Sequence, residues 1–487
     1  MQTYECFLIN ALWESAKDVK EENMKKLRET FIGDKKFYGM VLAVAVPIML
    51  QNGLTNVVSL LDNLMVGRVG TDQMSGVSIV NQLIFIVNLS LFGGMAGAGI
   101  FTAQYYGKKD EKGVQDIFRI KFIIALVLSA IGIAVFLLFD QYLIRMFLHE
   151  GDASLSVDAT MMYARDYLKI MLIGIVPFAI SQCVASTLRE CSQTVAPMMA
   201  GFAAVVVDLV FNYILIFGKF GAPALGVKGA AIATVMSRFV ECVFLVMWTW
   251  KRRDQFAFIK GLFARTRISP VLWKQAIAKG LPLLVNEFLW SLGVTMQVQC
   301  YSTRGLEVVA GLNICNTLNN VFNIAFIAMG NAVAIIVGQM LGAGKMEEAR
   351  DTDTKLIFFS TSMCVGIGAV LALAAPLFPQ FYNTTPVVQQ LATRFLWVMA
   401  YMMPFCSFTN ASYFTLRSGG KTGITFVFDS VFMWCLVVPF AFYLSRYTNI
   451  GVVGMYMLVQ ATEFIKVIIG FILVKKGVWM CNLVAEK

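Results

Sequence analysis

The sequence predicts an all-α polytopic membrane protein with twelve transmembrane helices in two six-helix lobes, related by a pseudo-two-fold axis along the membrane normal. Three observations carry that prediction. The 487-residue chain is 58% hydrophobic and only 14% charged, whereas soluble domains are roughly a quarter charged. Uncharged runs such as residues 37–61 recur at lengths that cross a bilayer as a helix. The chain also repeats itself at a fixed interval.

Apolar runs and the polar punctuation between them place spans near 37–62, 74–105, 120–139, 166–188, 194–217, 229–250, 281–303, 308–341, 356–381, 395–416, 422–445 and 452–474. The runs 74–106 and 308–344 exceed one bilayer thickness and are expected to project beyond it. The predicted organisation is an N-terminal segment (1–36), an N-lobe (37–250), a basic linker (251–280), a C-lobe (281–475) and a tail (476–487).

Orientation follows from Lys and Arg near the span ends. The N-terminal segment and the alternate loops on its side hold 29 of the 40 basic residues, among them "KKDEKG" (108–113) and "KRRDQFAFIKGLFARTR" (251–267). Both termini are therefore expected in the cytoplasm, with the spans in the cell membrane. The net charge of +10 is mostly this bias, which argues for a lipid bilayer and against nucleic acid as partner. Within 1–36, "ESAKDVKEENMKKLRETF" mixes both charge signs without an apolar core. It reads as a solvated amphipathic helix and not as a signal peptide. The 10 cysteines lie mostly within apolar runs and form no C-x-x-C pair, so they read as small core hydrophobes. A single histidine, His149, argues against a multi-His metal centre.

Sliding the chain along itself by 235 residues aligns 47–116 with 282–351 without a gap. The matches are Pro47/Pro282, Gly70/Gly305, Gly76/Gly311, Asn81/Asn316, Asn88/Asn323, Gln104/Gln339, Gly107/Gly342 and Asp116/Asp351, residue types that apolar composition does not produce by chance. A second match, "TLR" at 187–189 and 415–417, falls at offset 228 with Pro177 and Pro404 upstream. Because six spans is an even number, both copies enter the membrane from one side. Two such lobes enclose a cleft, which suggests a transporter working by alternating access.

An ionisable group inside a span costs about 2.5–3.5 kcal/mol even on lenient scales, so such groups line protein interiors and serve function. They are Asp62, Asp208, Arg238, Glu241, Glu287, Asp429, Glu463 and Lys466. Arg238/Glu241 and Glu463/Lys466 are opposite charges at i,i+3 on corresponding helices, and are expected to neutralise themselves on one helix face. Asp62, Asp208 and Glu287 have no basic residue within helical reach along the sequence. Each must find a partner from another helix, a proton or Na⁺. Asp429 has no role legible from its spacing. For Asp62 a helix-capping role next to "NLMVGRVG" is the bland alternative.

The stretches "VPIMLQNGLTNVVSLLDNLMVGRVG", "GLPLLVNEFLWSLG", "DLVFNYILIFG" and "GVKGAAIAT", in this order and duplicated, resemble the multidrug and toxic compound extrusion (MATE) transporters over about residues 37–475. The resemblance implies export of small organic, often cationic compounds coupled to inward Na⁺ or H⁺, with no bound cofactor. It assigns Asp62, Asp208, Asn212 and Thr234 to one oxygen-rich cation-coupling cluster, a Na⁺ site if Na⁺ is the coupling ion. The order Asp208 then Asn212 is exchanged relative to some members. Pro47 becomes the hinge of span 1. In the C-lobe, Glu287 precedes by about one turn the place where the family has its glutamate, here Trp290, and Cys406 stands near the family's span-10 Asp. The C-lobe ion site is therefore expected to be incomplete, with Glu287, Trp290, Asn81 and Asn316 assigned to substrate. A monomer is expected.

Rival motifs fail. "RSGGKT" (417–422) has Thr415 where a phosphate loop needs its first glycine. "HEG" (149–151) has Ala153 in place of the second histidine of H-E-x-x-H, and no G-x-S-x-G elbow occurs, so no enzyme chemistry is visible. Two alternatives remain. A flippase for a lipid-linked glycan or cell-wall precursor would favour a strongly cationic cleft. An ion channel would need a ring of ligands along a continuous pore.

Overall fold

The computed structural model describes residues 25, 28–147, 157–256, 258–259, 268–382 and 384–485. Most of the expected N-terminal helix, the "HEG" stretch with His149 and much of the basic linker lie outside these residues. The described residues form helices α1 (Lys35–Gly67), α2 (Thr71–Lys108), α3 (Glu111–Arg145), α4 (Val157–Glu190), α5 (Val195–Phe217) and α6 (Val227–Lys251). The second lobe comprises α7 (Pro270–Ser302), α8 (Leu306–Gly342), α9 (Met346–Ala374), α10 (Pro386–Ser418), α11 (Thr422–Tyr447) and α12 (Val452–Lys475). The fold is all-α: among the described residues there is no strand.

Eleven of these helices are long and apolar enough to cross a membrane. The twelfth, α7, falls short because Pro282, Asn286 and Glu287 interrupt its most apolar stretch. It nevertheless packs along α2 as a full member of the bundle. The ninth span differs most from expectation. α9 begins at Met346 and ends at Ala374, and a short 3₁₀ turn (Phe378–Phe381) follows. The apolar run continues to 381, but Pro376 and Pro379 lack the N–H that an α-helix needs there.

The duplication is visible in backbone detail. α1, α4, α7 and α10 each carry an internal proline, Pro47, Pro177, Pro282 and Pro404. α2 ends on Lys109 at φ 61°, and its repeat mate after α8, Gly344, has φ 76°. Glycine adopts that left-handed turn freely, whereas Lys109 pays the Cβ clash. In α11 the turns over 427–431 and 433–437 widen to π geometry around Asp429, a distortion that often accompanies functional sites.

The lobes meet through α2 against α7 and α8, and through α1 against α8. Small residues permit this approach: a Cβ on Gly97 would collide with the backbone of Gly280. Gly107 has no room beside Gln339, nor Gly342 beside Gln104. These last contacts lie at the end of the bundle that carries the turns after α2, α4, α8 and α10, the end rich in Lys and Arg, here called the basic end. On α1, Val41, Val44, Ala45 and Ile48 pack with Ala328, Met329 and Ala332 of α8. The seam between lobes is thus continuous with the hydrophobic core.

Candidate functional site: a buried carboxylate cluster in the N-lobe

Asp208 and Asn212 stand four residues apart on α5, so one helix face presents both. α1 brings Asp62 to that face. The Asn212 amide then joins the two acids: Nδ2 donates to Asp62 Oδ1 at 2.7 Å and to Asp208 Oδ2 at 3.3 Å. α6 supplies the hydroxyls of Thr234 and Ser237, which face Asp208. Asp208 and Asn212 are 4% and 1% exposed. Asp208 Oδ1 and Asn212 Oδ1 are buried without a protein hydrogen-bond partner among the described residues. An unsatisfied buried acceptor is costly, so each of these two oxygens favours a cation or a proton as its partner.

Arg238 on α6 is the fixed positive charge facing both acids. It pairs with Glu241 at 3.7 Å and lies over the Phe178 ring at 4.4 Å. Further toward the basic end, the fully buried Lys121 of α3 pairs with Glu190 of α4 at 2.5 Å. A cavity of about 510 Å³ runs along this wall. Asp62, Asp208 and Thr234 line one part, and Arg189, Glu190 and Arg417 another, while Asn331 of α8 and Phe414 of α10 close it from the C-lobe.

The remaining sequence candidates fall elsewhere. Asn81 lies outside the lining and accepts from the Tyr167 hydroxyl at 3.2 Å. Asn316 is exposed on α8 and Trp290 is 41% exposed on α7, neither in the lining. Glu287 is half-buried on α7, its Cγ placed against Gly93 of α2, with Arg417 and Asp429 as the charges facing it. Pro47 is buried within an α1 that remains helical through it.

One pairing read from spacing is corrected. Arg238 and Glu241 do pair, but Lys466 closes on Asp429 of α11 at 2.7 Å instead of on Glu463. Thr462 interrupts α12 immediately before Glu463, which instead accepts from Thr409 of α10 at 2.6 Å. Asn286 of α7 completes this C-lobe network, donating to Asp429 at 3.1 Å and accepting from Ser430 at 2.7 Å. Sequence reasoning missed Tyr167, on which both Asp62 and Asp208 act. Tyr167 stands in the charged start of α4, "YARDYLK", where nothing in the spacing marks it out.

Twelve helices in two repeated lobes, with buried acids beside an inter-lobe cavity, make a membrane transporter. The MatE family profile matches residues 47–214 and 282–443, each match starting at a repeat proline; the chain belongs to that family. It is 26% identical over 418 residues to the probable multidrug resistance protein NorM of Thermotoga maritima, covering 85% of this chain and 87% of that one. To the probable multidrug resistance protein YoeA of Bacillus subtilis it is 25% identical over 424 residues, covering 85% and 88%. The fold superposes on an outward-facing multidrug resistance MATE transporter of the MOP superfamily with a TM-score of 0.82 at 18% identity, over 91% of this chain and 96% of that one. A MOP superfamily transporter from Pyrococcus furiosus gives 0.82 at 17%, over 93% and 98%.

Proposed function

We propose that this protein is an antiporter that exports small organic cations across the cell membrane by alternating access, driven by inward H⁺ or Na⁺, with its basic end in the cytoplasm. The observation that carries the reading is the Asp62–Asn212–Asp208 bridge with its two orphaned oxygens beside the cavity. The buried charges of the N-lobe wall add to it. Asp62, Asp208, Glu241 and Glu190 face Arg238, Arg189 and Lys121, so full ionisation leaves one negative charge over. One H⁺ or one Na⁺ makes the array neutral, which suits exchange of a single monovalent ion in a low-dielectric site. Carboxylate, amide and hydroxyl are hard oxygen donors fit for either ion.

The cargo follows from the lining. Phe85, Phe92, Phe178 and Phe414 line the cavity, and Arg238 over Phe178 and Arg417 against Phe92 and Phe414 already use three of these rings as cation platforms. An organic cation competes for the same faces, in a volume within the range of small-molecule sites. The wall is mixed in sign and not strongly cationic, which disfavours a lipid-linked diphosphate. Efflux of a fluorescent organic cation from proteoliposomes under separately imposed H⁺ and Na⁺ gradients tests the reading. Export under neither gradient rejects antiport.

A further inference from the structure

Residues 476–484 fold back onto the bundle. After α12 the chain turns at Gly477, φ 66°, and Trp479 becomes fully buried, its Nε1 donating to Val474 O at 3.2 Å. The Trp479 carbonyl sits over Gly419, at the end of α10, where a Cβ would have no room. Beyond it the segment, which issues from the C-lobe, is gripped by the N-lobe. Gln104 of α2 holds its backbone at two points, Nε2 donating to Cys481 O at 3.2 Å and Oε1 accepting from Leu483 N at 2.7 Å. Lys108 donates to Val484 O at 3.2 Å. From the other side, Asn482 donates to Gly342 O of α8 at 3.4 Å. The Leu483 side chain packs with Ala96 and Ile100 of α2 and Leu283 of α7.

We infer that residues 478–485 are an intramolecular latch across the lobe seam at the basic end, which must leave its groove before the cavity can open there. The groove exists only while α2, α7, α8 and α10 stand together. The tail's hydrogen bonds and the burial of Leu483 and Val484 therefore add to the closed arrangement alone, and a ligand of one state shifts the equilibrium toward it. The latch rests on the alternating-access reading. It adds a tunable element to that cycle: a change in the tail alters how often the basic end opens without touching the carboxylate cluster.

The test compares full-length wild type with Leu483→Asp, which places a charge in the seam, and with a truncation after Met480 that leaves Trp479 in place. Size-exclusion elution reports folding. Hydrogen exchange in nanodiscs is read at residues 100–109 and 335–344, and efflux of the fluorescent cation is read as a function of its concentration at the basic end. Both variants are expected to exchange about tenfold faster at those two helix ends and to reach half-maximal efflux at about threefold lower concentration, because a larger fraction is open to that side. Unchanged exchange at both ends in a folded variant overturns the latch. Wild type that exports nothing overturns the transport reading instead, and the exchange data then decide the latch alone.

Discussion

Gln104 and Gln339, 235 residues apart in sequence, reach across the lobe seam in opposite directions to equivalent places. Gln104 Nε2 donates to Ser418 O at the end of α10 at 3.0 Å, and Gln339 Nε2 donates to Glu190 O at the end of α4 at 2.7 Å. Each thereby satisfies a helix-end carbonyl of the other lobe. The repeat thus builds a two-fold clasp at the basic end from one residue type used twice.

The clasp is not symmetric in what else it holds. Gln104 also grips the tail at Cys481 and Leu483, whereas Gln339 adds only an exchange with Ser192 Oγ. Gln104→Ala should therefore lower thermal stability in detergent more than Gln339→Ala does, at about 1 kcal/mol per lost buried hydrogen bond. Equal shifts, or a larger one for Gln339→Ala, would show that the tail contacts contribute nothing to the closed state.

Asp62→Asn keeps shape and an acceptor for Asn212, but removes the charge left over in the N-lobe array. Gradient-driven efflux should fall by about tenfold or more while membrane insertion and melting temperature hold. Efflux at the wild-type rate rejects coupling through this cluster.

Much of this architecture is legible in the sequence, because a membrane chain makes polar residues conspicuous. Pro47, Gly107 and Gln104 recur at one offset since each answers a backbone demand that the second lobe poses again. Asp62, Asp208 and Asn212 stand out as polar groups in apolar runs, and the structure joins them. What spacing does not disclose is choice of tertiary partner. Lys466 has Glu463 three residues away and takes Asp429, 37 residues away, because α11 lies opposite it and Glu463 has Thr409. The tail shows no periodicity at all. Trp479 is buried because the chain folds back on the end of α10, where its carbonyl meets Gly419, and that return has no sequence pattern.

The Lys466–Asp429 pair makes a second prediction about charge. The two side chains are 14% and 16% exposed. Removing one partner strands the other, so Lys466→Gln should cost about 3–5 kcal/mol. The double variant Lys466→Gln, Asp429→Asn should recover most of that loss, which thermal melts of all four proteins read as a coupling energy. Additive losses would mean that the two groups do not act as a pair.

Glu287 stands outside the cavity lining but faces Arg417, which lies within it between the Phe92 and Phe414 rings. Its carboxylate offsets the positive charge that Arg417 turns toward the cavity. Glu287→Gln should therefore weaken export of organic cations more than of neutral compounds, because only a cation feels the uncovered guanidinium. The double variant with Arg417→Gln should restore the cation preference. An equal loss for both cargo classes would make Glu287 a packing residue against Gly93 of α2.

Pro47 lies 15 residues before Asp62 on α1, at the level where Ile48 and Val44 pack on α8 across the seam. Proline leaves the carbonyl four residues back without its helical donor, so this is the weakest point at which α1 can bend. Asp62 is at the far end of the same lever. Should a cation or proton at Asp62 bind one shape of α1 better than the other, binding shifts the helix between straight and bent and moves the cavity wall. Pro47→Ala restores the missing hydrogen bond and stiffens the lever without touching the acids. Ion binding should survive, and efflux should slow by about tenfold. Pro282→Ala makes the same change in α7, whose C-lobe acid Asp429 is already paired with Lys466, and its effect should be milder. The paired readout is ²²Na⁺ binding or pH-dependent tryptophan fluorescence for the ion and dye efflux for turnover. Unchanged efflux in Pro47→Ala, or an equal loss in Pro282→Ala, removes α1 bending from the coupling step.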